Sequence, residues 1–474
     1  MSNKRKLVDA QFYLANYQDV AASGMSAEAH YLQHGWLEGR YPSALFQWQW
    51  EHTAEVVRNF FARSGAYRIV LVIDDIHNES LINRILEISR QGVSILILSR
   101  ALGVSAHTAA SELSVTSLSA FQRLQISGEL PSAQIHGEIA CVNLSTNEAS
   151  ITLNSLASNS VVHFDTWEVL AKNPFEALEQ LFPSLKRVSV VVPSYNYAEY
   201  LALRLQSIVD QTYPIYELIV LDDASADSSV LVANDILRAT RREWLLDCNA
   251  ENSGSVFRQW QKGVSLATGE FIWIAEADDA ANERFLEVLL SGDTNFTIAA
   301  CNASVVNGEG QLQHKNYNFR YRPAMKQLMS QAAVQGESLD GSDFVESCLS
   351  VENQLLNVSG LLFHADSLRR ELLRSLDDLL EFKIAGDWYL YVNLLLHKGT
   401  KIKLETSPLN VQRVHARSVS QIDRGQLQID EIERVHQLVL NTFNSTSLAN
   451  EQSEYLLIVY HYFNLQPPAE LLSC

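Results

Sequence analysis

Three carboxylates crowd the end of one apolar run. The segment Gly269-Glu-Phe-Ile-Trp-Ile-Ala-Glu-Ala-Asp-Asp279 drives a strand-like stretch straight into Glu276, Asp278 and Asp279. Clustered acids at the end of a buried strand repel one another, and the cost stays high unless a cation joins them. A hard divalent ion bridging Asp279 to two phosphate groups would lift that cost and help a nucleotide leave. Two earlier segments share a plan of buried strand, polar turn and helix: Val188-Ser-Val-Val-Val-Pro-Ser-Tyr-Asn-Tyr-Ala-Glu-Tyr-Leu201, and Glu217-Leu-Ile-Val-Leu-Asp-Asp-Ala-Ser-Ala-Asp227. Both turns fall at strand C-termini, the edge at which open α/β sheets bind ligands. Asp222 and Asp223 can there accept a base N–H or a ribose hydroxyl, and Tyr195 can stack on a base. The plainer alternative makes the two acids N-caps of the following helix. Asn252-Ser-Gly-Ser-Val-Phe-Arg-Gln-Trp-Gln-Lys-Gly263 opens a helix after a flexible turn, so its free N–H groups and dipole can face a diphosphate. Arg258 and Lys262 lie one turn apart on it, placed either to neutralise phosphate or simply to solvate the helix.

The elements that would position these residues form the second half of a longer plan. Residues 8 to 46 are an aromatic block with apolar positions at helical spacing; Gly35 and Gly39 can stop helices and Pro42 blocks continuation. It reads as two or three short helices whose aromatics pack a mini-core or the next domain, with sugar binding as the alternative. From Tyr67 a buried strand, a helix to Arg90 and a second buried strand from Gly92 to Ser99 make a βαβ unit, and Ile139 to Leu144 and Val161 to Phe164 are further strand candidates. No Gly-rich phosphate loop accompanies them, so Asp74 and Asp75 read as strand-end caps rather than ligands. A break at Pro183 precedes the strand-rich region that starts at Arg187. After about Gly425 the pattern turns helical (Ile429 to Phe443, then Tyr455 to Phe463) and carries no evident chemistry.

Composition narrows the partners. A formal charge of -19 with scattered Lys and Arg argues against nucleic acid or an anionic membrane surface; Lys4-Arg5-Lys6 is too short a cluster to change that. The five cysteines (Cys141, Cys248, Cys301, Cys348, Cys474) fall singly, which fits a reducing compartment. The apolar runs have strand length, far below a membrane span, and the first thirty residues hold no apolar stretch of signal-peptide length, so a cytoplasmic location is expected.

Taken in order, V-S-V-V-V-P-S-Y-N, L-I-V-L-D-D-A-S-A-D, N-S-G-S and G-E-F-I-W-I-A-E-A-D-D resemble the family 2 glycosyltransferases of the GT-A fold, over roughly residues 187 to 420. The resemblance implies that Pro193, Tyr195 and Asp223 hold the nucleotide base, that Asp278 holds the ribose, and that Asp279 ligates Mn2+ or Mg2+. Ser255 and Arg258 join the nucleotide-sugar-binding set. Where many relatives have Asp at the first acidic position this chain has Glu276, which is not assigned as a ligand. Phe257, Gln259 and Trp260 stand where small residues are frequent, which points to a subgroup with its own donor preference. Family members need a general base about a hundred residues after the metal motif, and Asp387, in Gly386-Asp-Trp388, follows Asp279 by 108 residues. It is assigned that role, with a helix N-cap as the alternative. Asn410-Val-Gln-Arg-Val-His-Ala-Arg-Ser-Val-Ser420 resembles the family's closing segment, implying His415 as a nitrogen ligand of the metal and Arg413 or Arg417 on phosphate. Asn357 and Ser359 are candidates to bond donor or acceptor hydroxyls. The N-terminal block is similar to a short module found beside bacterial surface-polysaccharide transferases, and the middle region distantly looks like half of a two-domain GT-B enzyme.

The expected fold class is α/β: a GT-A domain with a mixed, mostly parallel sheet and helices on both faces, preceded by a helical module and a Rossmann-like domain. The expected boundaries are 1–50 (helical module), 51–183 (Rossmann-like), 184–424 (transferase) and 425–474 (helical extension). The expected activity is inverting transfer of a sugar from a UDP- or dTDP-linked donor to a saccharide or lipid-linked acceptor in polysaccharide or O-antigen-like assembly. A non-catalytic scaffold or glycan-binding subunit is the competing reading. Peripheral association with membrane-bound assembly machinery and homo-oligomerisation are open to such a protein.

Overall fold

The computed structural model describes residues 8–30, 67–75, 79–91, 93–101, 114–117, 138–143, 161–164, 174–240, 244–315, 338–416 and 425–469, together with isolated positions such as Val57 and Phe60. They divide into two compact units, 1–185 and 186–474.

The first unit opens with three short helices, α1 (Ala10–Asn16), α2 (Gln18–Ser23) and α3 (Ala27–His30). The Asp9 side chain accepts from the Phe12 amide and so caps α1, and Gly24, at φ 73°, ends α2 in the left-handed region. Val8, Tyr13, Val20 and Ala27 form a small core with Leu14 and Tyr17 against it. Tyr13 is fully buried and its hydroxyl lies 3.2 Å from His30 Nδ1, so these aromatics pack a mini-core. The Trp36 to Pro42 part of the block lies outside the described residues. A parallel sheet follows, of β1 (Tyr67–Asp75), β2 (Ser94–Ala101), β3 (Ser114–Ser117), β4 (Glu138–Asn143) and β5 (Val161–Phe164), in the order β3-β2-β1-β4-β5. That is the doubly wound arrangement, with α4 (Glu79–Ser89) as the first crossover. The side chains of Asp74 and Asp75 lie outside the description. Helix α5 (Pro174–Leu181) closes the unit on buried Phe175, Leu178 and Leu181.

In the second unit the chain lays down β6 (Val188–Ser194), α6 (Ala198–Val209), β7 (Glu217–Asp222), α7 (Ser229–Ala239), β8 (Leu245–Cys248), α8 (Val256–Leu266) and β9 (Phe271–Ile274). All seven residues of β6 and all four of β9 are buried, as expected of parallel strands covered on both faces. β6 pairs in parallel with β7 on one side and with β9 on the other. The strand order therefore reverses at β6, and a crevice opens past the C-termini of β6 and β9.

The sheet continues beyond β9 with strands that the sequence reading did not identify, while a helix after Gly386-Asp-Trp388 was expected. After β10 (Ala280–Ala281) and α9 (Phe285–Leu289) come β11 (Ile298–Asn307), β12 (Leu312–His314), β13 (Leu339–Asp340), α10 (Gly341–Phe344), β14 (Leu361–His364), α11 (Ala365–Glu381), α12 (Gly386–Leu396) and β15 (Lys401–Val414). The main path runs β10-β15-β11-β14-β9-β6-β7-β8, with β14 antiparallel to β9 and β11, and β15 parallel to β11. A register shift between Cys301 and Ala303 bends the β11–β15 ladder. Helices α13 (Gly425–Phe443) and α14 (Thr446–Tyr462) are not an appendage: Ile429, Val435, Val439 and Leu456 belong to the same core cluster as Ile274, Phe363 and Trp388. Among the described residues no helix is long and apolar enough to cross a membrane.

Gly269 sets the entry to β9. Its amide donates to Ser189 Oγ at 2.8 Å, and a Cβ there would meet Arg187 O at 2.8 Å and Ser189 N at 2.9 Å, backbone atoms that cannot step aside. Gly269→Ala should destabilise the protein by roughly 1–3 kcal/mol through overpacking. Equilibrium urea unfolding checks this, as a lowered midpoint with unchanged slope.

Candidate active site

The turn after β9 brings Glu276, Asp278 and Asp279 together, with one carboxylate oxygen from each inside a span of 4.8 Å. Asp279 is held on every side. Its Oδ1 accepts from the Arg413 amide at 2.8 Å and its Oδ2 from Asn357 Nδ2 at 2.9 Å, and the Ser359 hydroxyl bonds it as well. Beneath the acids lies Arg204, from α6, fully buried over the Trp273 ring. Its Nε donates to Glu276 O at 2.8 Å and its Nη2 stands 3.8 Å from Asp279 Oδ2; neither Nη has a hydrogen-bond partner. One guanidinium cannot balance three carboxylates. Burial, then the Asp278 charge, pushes Asp279 up to about 6, and burial with the charges of Asp278, Asp279 and Asp387 drives Glu276 well above the usual carboxylate range. The cluster is therefore short of positive charge and built of hard oxygen donors, which suits a divalent ion.

His415 reaches the same place from the end of β15. Its Nε2 lies 3.1 Å from Asp278 Oδ2, and its ring stacks on Tyr200 at 5.1 Å between centroids. The structure thus brings Asp278, Asp279 and His415 together although 137 positions separate Asp278 from His415. Arg413 is occupied otherwise than expected: its guanidinium donates to the carbonyls of Asp278, Asn307 and Gly308 and lies over Tyr200, so it braces the acidic turn instead of reaching out to phosphate. Arg417 lies outside the described residues. Asn357 and Ser359, read as contacts for sugar hydroxyls, bond Asp279 and the Glu276 amide.

On the other side of the switch point lie the ends of β6 and β7. Pro193 is buried in register with Leu221, and Tyr195 stands at the rim, 46% exposed. Asp222 accepts from the Ser225 amide, while the Asp223 carboxylate takes Asn249 Nδ2, the Ser253 amide and hydroxyl, and Gln259 Nε2. Neither acid caps α7; Ser228 stands at its N-cap, and Asp227 accepts from Ser229 N at 2.9 Å. Asp223 therefore ties the loop before α8 to the sheet. Gly254 sits in that loop at φ 72°, a conformation a side chain would strain. Ser255 begins α8 without a side-chain cap, leaving first-turn amides for a ligand, and Arg258 is exposed on that turn. Lys262 is already engaged, with Asp247 at 2.8 Å and Asn249 at 2.7 Å. Ser194 Oγ and Asp222 Oδ1 are buried without a hydrogen-bond partner, as polar atoms awaiting a ligand would be.

Asp387 occupies the first turn of α12, which starts after Ala385. It is not the helix cap. The N-cap position is Ala385, and the turn just before it is held by Glu431 of α13, whose carboxylate accepts from the amides of Lys383, Ile384 and Ala385 at 2.7, 2.8 and 2.7 Å. Asp387 itself accepts from its neighbour Trp388 N at 2.6 Å and from Asn353 Nδ2 at 3.4 Å, and burial pushes its carboxyl up to about 7. A carboxylate so poised matches a proton acceptor working near neutrality.

Arg204 and Glu431 were missed from sequence. A buried arginine on an amphipathic helix looks like any surface arginine in one dimension, and Glu431 sits in an ordinary helical pattern; only the fold aims them at the acidic turn and at α12.

Residues 189–344 match the model of Glycosyl transferase family 2. Over 102 residues the chain is 36% identical to the Glycosyltransferase GlyG of Streptococcus pneumoniae serotype 4, covering 22% of this chain and 33% of that protein. Over 130 residues it is 28% identical to the poly(ribitol-phosphate) beta-N-acetylglucosaminyltransferase TarP of Staphylococcus aureus, covering 27% and 39%. Among solved structures, S. aureus TarS 1-349 in complex with UDP aligns with TM-score 0.40 and 18% identity over 60% of this chain and 76% of that one. The mannosyltransferase PcManGT from Pyrobaculum calidifontis, in complex with GDP-Man and Mn2+, aligns with TM-score 0.38 and 16% identity over 61% and 78%. The chain spans between 33% and 43% of the length of the first four curated relatives. The reversal at β6, the acidic turn after β9 and the stretch at 189–344 that matches Glycosyl transferase family 2 all fall in one mixed α/β unit.

Proposed function

We propose that this chain transfers a sugar, with inversion, from a nucleoside-diphosphate donor to a hydroxyl of a saccharide or lipid-linked acceptor, in the assembly of a bacterial surface polysaccharide. The observation that carries the reading is the meeting of Asp278, Asp279 and His415 at the switch-point crevice. UDP and dTDP are the favoured nucleotides. The base would lie against Tyr195 and the end of β7 near Asp223, the ribose at Asp278, and the diphosphate towards the first turn of α8 with Ser255 and Arg258. Asp279 and His415 would hold Mn2+ or Mg2+, which when bound offsets the charge that builds on the departing diphosphate.

Asp387 then serves as the base. The acceptor oxygen attacks the anomeric carbon from the face opposite the nucleotide and gives its proton to the Asp387 carboxylate; the carbon–oxygen bond to phosphate breaks and its electron pair leaves with the nucleoside diphosphate. One displacement inverts the configuration.

Two measurements test this. Isothermal calorimetry with UDP, dTDP and GDP, with and without Mn2+, should find one nucleotide whose binding needs the metal and is lost in Asp279→Asn; no binding of any of the three would transfer support to the scaffold reading. For Asp387, the raised pKa fixes the sign of the pH effect: a base works when deprotonated, so kcat/KM should fall about tenfold per pH unit below about 7 and level off above it. Asp387→Asn should lower kcat by roughly 100- to 10,000-fold with nucleotide affinity unchanged. A pH profile flat from 5 to 8, or full turnover in that variant, would remove Asp387 from the chemistry.

A further inference from the structure

The buried carboxylate of Glu431 lies outside the stretch that matches the family model and belongs to a helix that the sequence reading left without chemistry. It is 2% exposed, and both oxygens are used: Oε1 accepts from Lys383 N at 2.7 Å, and Oε2 from Ile384 N at 2.8 Å and Ala385 N at 2.7 Å. Three charge-assisted bonds to consecutive amides are an unusual concentration on one side chain, and they grip the turn that launches α12 two residues before Asp387. The same pair of C-terminal helices holds the other wall of the Asp387 site. His436 Nε2 lies 2.8 Å from Val351 O, and Gln452 Nε2 donates to Ser350 O at 2.7 Å, fixing the strand of chain that presents Asn353 to Asp387. The His436 ring meets Trp388 edge to face.

We infer that Glu431 is a positioning residue for the acceptor-side base: by capping the 383–385 turn it sets where Asp387 stands, making the C-terminal helices part of the transfer site. This rests on the reading of Asp387 as the base given above. Glu431 does not touch substrate in this scheme, and it acts through the backbone. A carboxylate is needed because all three groups it meets are donors; a carboxamide would turn one of its two heteroatoms into a donor facing N–H groups and lose part of the grip. The charged and titratable groups around Asp387 are Glu276 from the end of β9, Tyr391 from the next turn of α12, and Glu431 from α13. The Glu431 charge also raises the Asp387 carboxyl, so its removal has a signed electrostatic consequence.

The test compares the intact chain with Glu431→Gln, Glu431→Asp and Asp387→Asn, with exchange and titration followed free of metal. Hydrogen–deuterium exchange should show the amides of 383–385 protected in the parent, about tenfold or more faster in Glu431→Gln, and partly restored in Glu431→Asp. The carboxyl carbon-13 signal of Asp387 should titrate at lower pH in Glu431→Gln than in the parent, while UDP binding in the presence of Mn2+ stays as it was. Exchange and titration both unchanged in Glu431→Gln would overturn the inference. Were that variant not to fold, the parent decides alone: unprotected amides at 383–385 would overturn it, and protection lost together only at global unfolding would support it. None of these readings requires Asp387 to be the base, so full turnover in Asp387→Asn would sink the base assignment separately.

Discussion

Negative charge is packed at the end of β9 more tightly than the protein's own cations relieve. Two unit charges within 4.8 Å repel by about 3 kcal/mol at the effective dielectric of a partly wet site, more than an exposed ion pair returns. The surrounding chain is organised around that cost. Arg204 is sunk below the turn, an amide of β15 and two side chains from the 357–359 turn converge on Asp279, and Arg413 spends its guanidinium on carbonyls so that the turn cannot relax outward. What this network leaves uncompensated is the capacity of the site to take up a further cation.

Convergence of this kind needs a sheet whose strands arrive from distant parts of the chain. The parallel half supplies the crevice, because the reversal at β6 keeps the loops after β6 and β9 apart. The second half supplies the lining: β14 enters antiparallel between β9 and β11, which places the 357–360 turn beside the acids, and β15 runs back along β11 to deliver Arg413 and His415. The two halves thus meet across β9 and β14, and the acidic turn sits at that seam.

How much of this was legible in the sequence follows from the range of the interactions. β6, β7 and β9 announce themselves because a strand buried on both faces must be apolar throughout, and the polar turns behind them stand out by contrast. Asp279, Asp278 and Asp387 were singled out through the family resemblance that the order of the motifs carries. β11 and β15 escaped notice because their apolar runs are broken by small and polar residues such as Asn302, Thr406 and Gln412, which the fold tolerates at a bulged ladder near a site. Asp223, Arg413, Asn357 and Lys262, read as candidate ligand contacts, each have partners inside the protein that the sequence did not reveal. Each is a long-range hydrogen-bonding partner inside the protein, and a pairing between residues 78 or 134 positions apart leaves no local trace. The N-cap alternatives for Asp222, Asp223 and Asp387 failed because the helices begin elsewhere: Ser228 stands at the N-cap of α7, with Asp227 on the Ser229 amide, and Ala385 at the N-cap of α12.

The sharing of one hydrophobic core by α13 and α14 with β9, β14 and α12 bears on how such domains can be recombined. The stretch that carries the family's signature ends at Phe344, in the middle of that core, and exchanging it alone between relatives would graft the strand-end crevice onto foreign walls. The smallest piece of this chain that can be moved as a self-contained cassette is the whole second unit from Lys186 onward. The crevice walls and the helices behind them are in that sense one block, and change in the one is constrained by the packing of the other.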